Sequence, residues 1–365
     1  MLKGVKVLFQ KYLDPFTLIL VLALALAFIL PVEGKAYDLF YILSKLVVAL
    51  LFFLHGARLS PGNILDGLTN YKLQLLIFFS TFAVFPLLAL LLKPLLLFLL
   101  NPDVTAGFLF LACLPSTVQS SIAFTSIARG NVSAAVCAAS ASSLLGIILT
   151  PLLVSLIIHP SGHAAGLQTL RDLFLQLLLP FALGQFFRPL LIDFLKRRQA
   201  LTSVTDRLSV IFIVYVSFSQ ATNTGLWNQM DLKTLPLIVA VCLVMLAAAL
   251  IFTWKTSGLC EFPRPDRTAA LFCGSKKSLM TGVPMANIIF TPQIASLLII
   301  PLMVFHQIQL IVCAFLARSL SRRDGDDGAA PEGKSEANKG AETLDDPETS
   351  RKAETDGRPE NGGGI

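Results

Sequence analysis

The chain has 365 residues, 55% of them hydrophobic and only 14% charged, with a mean hydropathy of +0.72. Soluble domains carry about 25% charged residues, so a polytopic membrane protein is expected and a water-soluble globular enzyme is excluded. The net charge of +6 comes without a basic, aromatic-bearing soluble module, so no nucleic-acid partner is implied.

A spanning helix needs about 20 mainly apolar residues. Ten stretches qualify, some only if interrupted: 15–32, 38–57, 71–92, 104–128, 133–158, 167–187, 208–221, 234–254, 267–290 and 292–317. The first reads as a spanning helix rather than a cleaved leader, because Pro31-Val32-Glu33 follows it in place of a small-residue cleavage site. No acidic residue lies deep in any stretch. Small residues at 134–143 permit close helix packing. Cys113, Cys137, Cys242, Cys260, Cys273 and Cys313 show no metal-ligand spacing and read as small apolar residues. The membrane domain covers 1–318, and 319–365, rich in Gly, Glu, Asp, Lys and Pro, is expected to be a disordered tail. With a cytoplasmic amino terminus, Lys196, Arg197, Arg198, Arg264, Arg267 and most other basic residues fall inside. Only Lys35, Lys93, Arg171 and Lys233 fall outside, which predicts both termini in the cytoplasm.

Ten spans give five per half, about 15–158 and 167–318, so a duplication requires halves of opposite topology. The fourth and ninth spans are interrupted at corresponding places. One reads Leu111-Ala112-Cys113-Leu114-Pro115-Ser116-Thr117-Val118-Gln119-Ser120-Ser121, and the other Leu271-Phe272-Cys273-Gly274-Ser275-Lys276-Lys277-Ser278. Paired interruptions point to a transporter binding site near the membrane midplane. Non-helical backbone is tolerated at that depth only inside protein or around a cavity.

Three motifs carry a family resemblance. Phe52-Phe53-Leu54-His55-Gly56-Ala57-Arg58-Leu59-Ser60 resembles the second-helix signature of the bile acid:sodium symporter family. Pro115 through Ser120-Ser121 to Arg129-Gly130-Asn131 resembles its fourth-helix motif. Gly274 to Pro284 resembles the ninth-helix region in the form found in the divergent SBF-like branch. The resemblance covers about 16–318. It implies ten transmembrane helices in two inverted five-helix repeats, with broken helices 4 and 9 crossing. It further implies a panel domain of helices 1, 2, 6 and 7, a core domain of the others, and a substrate cleft between them. The family's helix-9 stretch is Glu-x-Gly-x-Gln-Asn, whose Glu and Gln hold sodium. Here Phe272, Lys276 and Lys277 stand at the Glu, Gln and Asn positions. Two unit charges about 4 Å apart repel by about 4 kcal/mol at an effective dielectric of 20, so an ammonium there opposes sodium coupling.

An intramembrane lysine costs about 2.5–3.5 kcal/mol on insertion scales and marks a functional site by default. Lys276 and Lys277 admit three readings. One is a built-in cation at the ion position, with a buried lysine also able to act as a proton switch. A second is pairing with an anionic substrate. The third is structural, one lysine snorkelling to a wet crevice and the other propping the break. Ser116, Thr117, Gln119, Ser120 and Ser121, like Ser275 and Ser278, either ligate an ion or substrate or satisfy backbone freed at the break. His55 and His306 are proton-relay candidates or packing residues. Gln220 and Asn223 line the cleft or are ordinary interface polarity.

The expected function is secondary active transport of a small organic anion or other solute across a bacterial inner membrane by alternating access. The lipid bilayer and a small-molecule solute are the partners, and no cofactor is implied beyond a coupling sodium ion or proton. The alternatives are a transport-inactive regulator on a carrier fold and an intramembrane Ser–Lys hydrolase built on Ser275 or Ser278 with Lys276. Sequence neighbours on a helix do not face each other, which counts against the hydrolase.

Overall fold

The computed structural model describes residues 15–58, 70–158, 174–225 and 234–327, and among the described residues there is helix but no strand. In chain order the helices are α1 Pro15–Ile29, α2 Gly34–Arg58, α3 Tyr71–Leu99, α4 Pro102–Cys113, α5 Gln119–Ile127 and α6 Val132–Ile157. They continue with α7 Leu179–Arg197, α8 Gln199–Asn223, α9 Leu235–Leu259, α10 Arg264–Gly274, α11 Leu279–Ile289 and α12 Pro292–Asp327. A π-helical turn, Ser80–Val84, interrupts α3, and a second, Phe174–Leu178, leads into α7.

Among the described residues, six helices are long and apolar enough to cross a membrane, and α1 and α4 contribute shorter apolar segments. Outward-facing apolar side chains remain uncovered by protein: Phe98 and Leu259 are 85% and 84% exposed. A helix apolar on its outward face needs lipid around it. The chain is a multi-pass membrane protein.

Local chemistry sets where the helices begin and stop. Asn101 caps α4 by accepting from Asp103 N at 3.0 Å, and Pro102 occupies the first turn, where its missing N–H is harmless. α4 ends at Cys113 because Pro115 disfavours helical backbone at the residue before it, and Leu114 is extended. Asn131 caps α6 through Ala134 N at 3.0 Å. Ser278 caps α11 through Thr281 N at 3.2 Å.

Three expected boundaries shift. The sixth span, read at 167–187, is helical over Leu179–Arg197, while 167–173 lie outside the described residues. The seventh, read at 208–221, is a 25-residue helix whose first turns bury Thr202 and Asp206, the latter paired with Arg58. The last helix runs to Asp327, beyond the residue 318 at which the membrane domain was drawn, and the rest of the tail lies outside the described residues.

α1, α2, α7 and α8 pack on one another, as do α3 to α6 with α9 and α10. The closest approach in the first group is α2 on α7. A methyl at Gly56 would overlap the Phe181 carbonyl, and one at Gly184 the Phe53 carbonyl. In the second group, Leu73 and Ile77 of α3 meet Ala134, Ala135 and Ala138 of α6 and Ala269, Ala270 and Cys273 of α10. The small-residue run thus serves close packing, as expected. Asp266 ties the amino ends of this group together, accepting from Asn70 Nδ2 at 2.8 Å and Asn131 Nδ2 at 2.7 Å.

Candidate functional site

The two helix breaks touch. Ser278 N donates to Pro115 O at 2.9 Å, Ser116 Oγ to Cys273 O at 2.6 Å, and Ser121 Oγ to Phe272 O at 3.1 Å. Ser80 Oγ, from the π-helical turn of α3, donates to Gly274 O at 2.8 Å. Ser142 Oγ accepts from Ser116 N at 3.0 Å, and Thr150 Oγ1 donates to Cys113 O at 2.8 Å. Each break therefore satisfies groups that the other has released, as buried backbone requires.

The two lysines have different surroundings, although both are fully buried. Lys277 Nζ donates to three carbonyl oxygens, Thr81 O, Ala112 O and Leu114 O, each at 2.7 Å. The Phe85 ring lies 4.3 Å away, within cation–π range. Its main chain is clamped as well: Lys277 N donates to Gln309 Oε1 at 2.9 Å, and Gln309 Nε2 donates to Lys277 O at 2.9 Å. An ammonium has three donors, and all three are used.

Lys276 Nζ makes one hydrogen bond, to Ser120 Oγ at 3.3 Å, and lies over the rings of Phe124 at 4.5 Å and Phe272 at 5.8 Å. Ser120 Oγ donates in turn to Thr117 Oγ1 at 2.9 Å, and Thr117 and Ser121 hydroxyls are 2.9 Å apart. Because Ser121 gives its proton to Phe272 O, the chain runs one way, from Lys276 through Ser120 and Thr117 to Ser121. Ser120 lies in the first turn of α5, where the helix dipole disfavours a cation and favours an anion. Neither lysine has a carboxylate partner among the described residues.

A cavity of about 500 Å³ adjoins this crossing. One wall is the first turns of α5 and α11 with Thr117, Gln119, Ser120 and Ser278, and His306 of α12 is beside them. The facing wall is Phe52, His55 and Arg58 of α2 with Thr202, Asp206 and Arg207 of α8. Arg58 pairs with Asp206 through two bonds, Nη1 to Oδ2 at 2.6 Å and Nη2 to Oδ1 at 3.0 Å. Asp206 lies about two turns into α8, ahead of the stretch read as the seventh span, and Asp266 lies in the first turn of α10; both carboxylates are buried in protein.

The structure brings together Ser116, Thr117, Gln119, Ser120, Ser121, Lys276, Lys277, Ser278, His55 and His306 at or beside the cavity and crossing. Ser275 is buried at the break but turned away, its Oγ bonded to Leu271 O at 2.5 Å. With Ser275 turned back and Ser278 capping α11, neither hydroxyl is paired with Lys276, whose serine partner is Ser120 instead, so the expected dyad of Ser275 or Ser278 with Lys276 does not form. Gln220 and Asn223 do not line the cavity. They sit at the far end of α8, where Asn223 Nδ2 donates to Val32 O at 2.7 Å and Gln220 O accepts from Thr224. Local polarity near a helix end does not say which end faces the site.

Sequence reasoning missed Thr81, Gln309 and the Arg58–Asp206 pair. A glutamine and a histidine three apart in an apolar helix, His306 and Gln309, were the available signal, and their side chains are 2.9 Å apart. Thr81 acts through its backbone oxygen, which carries no sequence signal.

The sequence profile of the SBF-like CPA transporter family matches residues 14–322. The chain is similar to "Putative symporter YfeH" of Escherichia coli K12, 44% identical over 316 residues that cover 86% of this chain and 94% of that protein. It is 46% identical to the uncharacterized protein PA2026 of Pseudomonas aeruginosa over 318 residues, 87% and 96% of the two chains. It is 29% identical to sodium/bile acid cotransporter 7 of Danio rerio over 281 residues, 76% and 84% of the two chains. The motif resemblance is thereby shown over nearly the whole helical region: the chain belongs to the SBF-like CPA transporter family and is a transporter, not an enzyme.

Proposed function

We propose that the protein is a secondary transporter that carries a small organic anion across a bacterial inner membrane by alternating access, without sodium at the helix crossing. The observation that carries this reading is the wall of the cavity. Two half-helix amino ends, α5 and α11, reach it together, with the Lys276 ammonium behind Ser120. Half-helix amino ends are where broken-helix transporters meet anionic groups. Among the described residues, Asp206 is the only carboxylate lining the cavity, and it is already neutralised by Arg58. A carbonyl-bound ammonium at the crossing, with no carboxylate partner, speaks against a coupling sodium there. Lys276, linked to the cavity by a hydroxyl chain, is the group placed to exchange a proton.

Counting α4 with α5 and α10 with α11 as single interrupted crossings, the chain makes ten, with α1–α6 and α7–α12 as inverted repeats. α1, α2, α7 and α8 form a panel and the remaining helices a core. The distribution of basic residues supports cytoplasmic termini.

The test is uptake into proteoliposomes of carboxylates, sulfonates and organic phosphates beside neutral analogues, with sodium replaced by potassium, at two external pH values. Saturable uptake of an anion is expected, unchanged by the sodium replacement, responsive to pH, and lost in Lys276→Gln. Sodium-dependent uptake, preference for the neutral analogues, or no flux under any condition refutes the reading.

A further inference from the structure

We infer that the carbonyl oxygens of Thr81, Ala112 and Leu114 form a monovalent-cation site, occupied in this protein by the Lys277 ammonium itself. Three features carry this. The oxygens converge from two elements onto one point, each 2.7 Å from Nζ. Ala112 and Leu114 lie at the carboxyl end of α4, where carbonyls lack helical partners and the dipole favours positive charge. Thr81 lies in the π-helical turn, where the regular ladder of α3 is interrupted. Cages of backbone carbonyls are how ion channels replace the hydration shell of an alkali ion, and the Phe85 face closes this one.

Lys277 is therefore a tethered ion. Its donors are all engaged, its side chain is fully buried, and Gln309 pins its peptide group from both sides. It has no donor left for a solute. A lysine kept merely to fill space needs no such cage, since a methionine or leucine fills the same volume without the cost of burying a charge. The inference deepens the proposed transport mechanism by assigning the fixed charge to Lys277 and leaving Lys276 as the responsive one. It rests on that mechanism only for its consequence, because the site itself is tested without transport.

The test is thermal unfolding of the purified full-length protein in detergent, in choline chloride and in matched sodium, potassium or methylammonium chloride. Wild type is expected to unfold at the same temperature in all four. Lys277→Ala is expected to melt lower in choline and to recover by about 3 °C or more in at least one small cation, as ligand linkage requires. Lys277→Met, whose apolar chain fills the cage, is expected to be less stable than wild type and indifferent to the cation. If Lys277→Ala does not fold in choline, a higher yield of monodisperse protein when it is prepared in a small cation supports the site. Equal yields or equal melts in every salt overturn it, and so does a Lys277→Met variant as stable as wild type. A wild-type protein that moves no anion would defeat the transport reading while leaving these melts unaffected.

Discussion

Replacing Gln309 with leucine, of nearly the same volume, removes the clamp on the second helix break. Two buried main-chain groups, Lys277 N–H and C=O, lose partners now held at 2.9 Å. His306 Nδ1 loses its contact with Gln309 as well. A buried polar group left unsatisfied costs about 1–3 kcal/mol, so the two main-chain groups together cost about 2–6 kcal/mol. At about 2 °C per kcal/mol for a chain of this size, the unfolding midpoint should fall by about 4–12 °C. The assay is intrinsic-fluorescence melting of the purified protein in detergent. Gln309→Glu, which keeps one oxygen acceptor for Lys277 N–H, should fall between the two. A Gln309→Leu midpoint within about 1 °C of wild type would show that the break is held by other contacts and that the bidentate clamp carries no weight.

Two further predictions concern the cavity's other wall. Gly56→Ala and Gly184→Ala each place a methyl against a backbone carbonyl of the facing helix, so each should destabilise by about 1–3 kcal/mol or more, read as a lower melting temperature. The sign is diagnostic, because the same change in an uncrowded helix gains up to about 1 kcal/mol. Asp206→Asn should cost about 1–3 kcal/mol, below the range for a fully buried pair because Arg58 is 26% exposed. It should also lower the KM for anion uptake, since the Arg58 guanidinium on the cavity wall loses its internal carboxylate. A raised KM with unchanged kcat would count against Arg58 facing the solute.

Much of the candidate site was legible before any contact was known. Pro115 and the Gly274-Ser275 step mark the breaks because they act on their own backbone, and the lysines stand out because an ammonium amid apolar residues has few tolerable positions. Other parts were not legible. Gln220 and Asn223 looked like cleft residues, but helix α8 points its carboxyl end away from the cavity and brings Thr202 and Asp206 to it from the other end. Asp206 looked like a loop residue because the polar turns around it hid the start of α8 from a hydropathy reading.

By itself the sequence determined that the chain lies in a membrane, roughly where its apolar helices lie, and where two of the apolar stretches unwind, because hydropathy and the backbone preferences of Pro, Gly and Ser are properties of neighbouring residues. It did not separate Lys276 from Lys277. Only the tertiary structure did so, through partners far away in the chain: Thr81 is 196 residues from Lys277, Ala112 is 165 and Gln309 is 32, while Lys276 reaches Ser120 across 156. Adjacent residues on an unwound segment point in different directions. One ammonium therefore meets a ring of carbonyls at the end of α4, and the other meets a hydroxyl at the beginning of α5, where the backbone dipoles have the opposite sign.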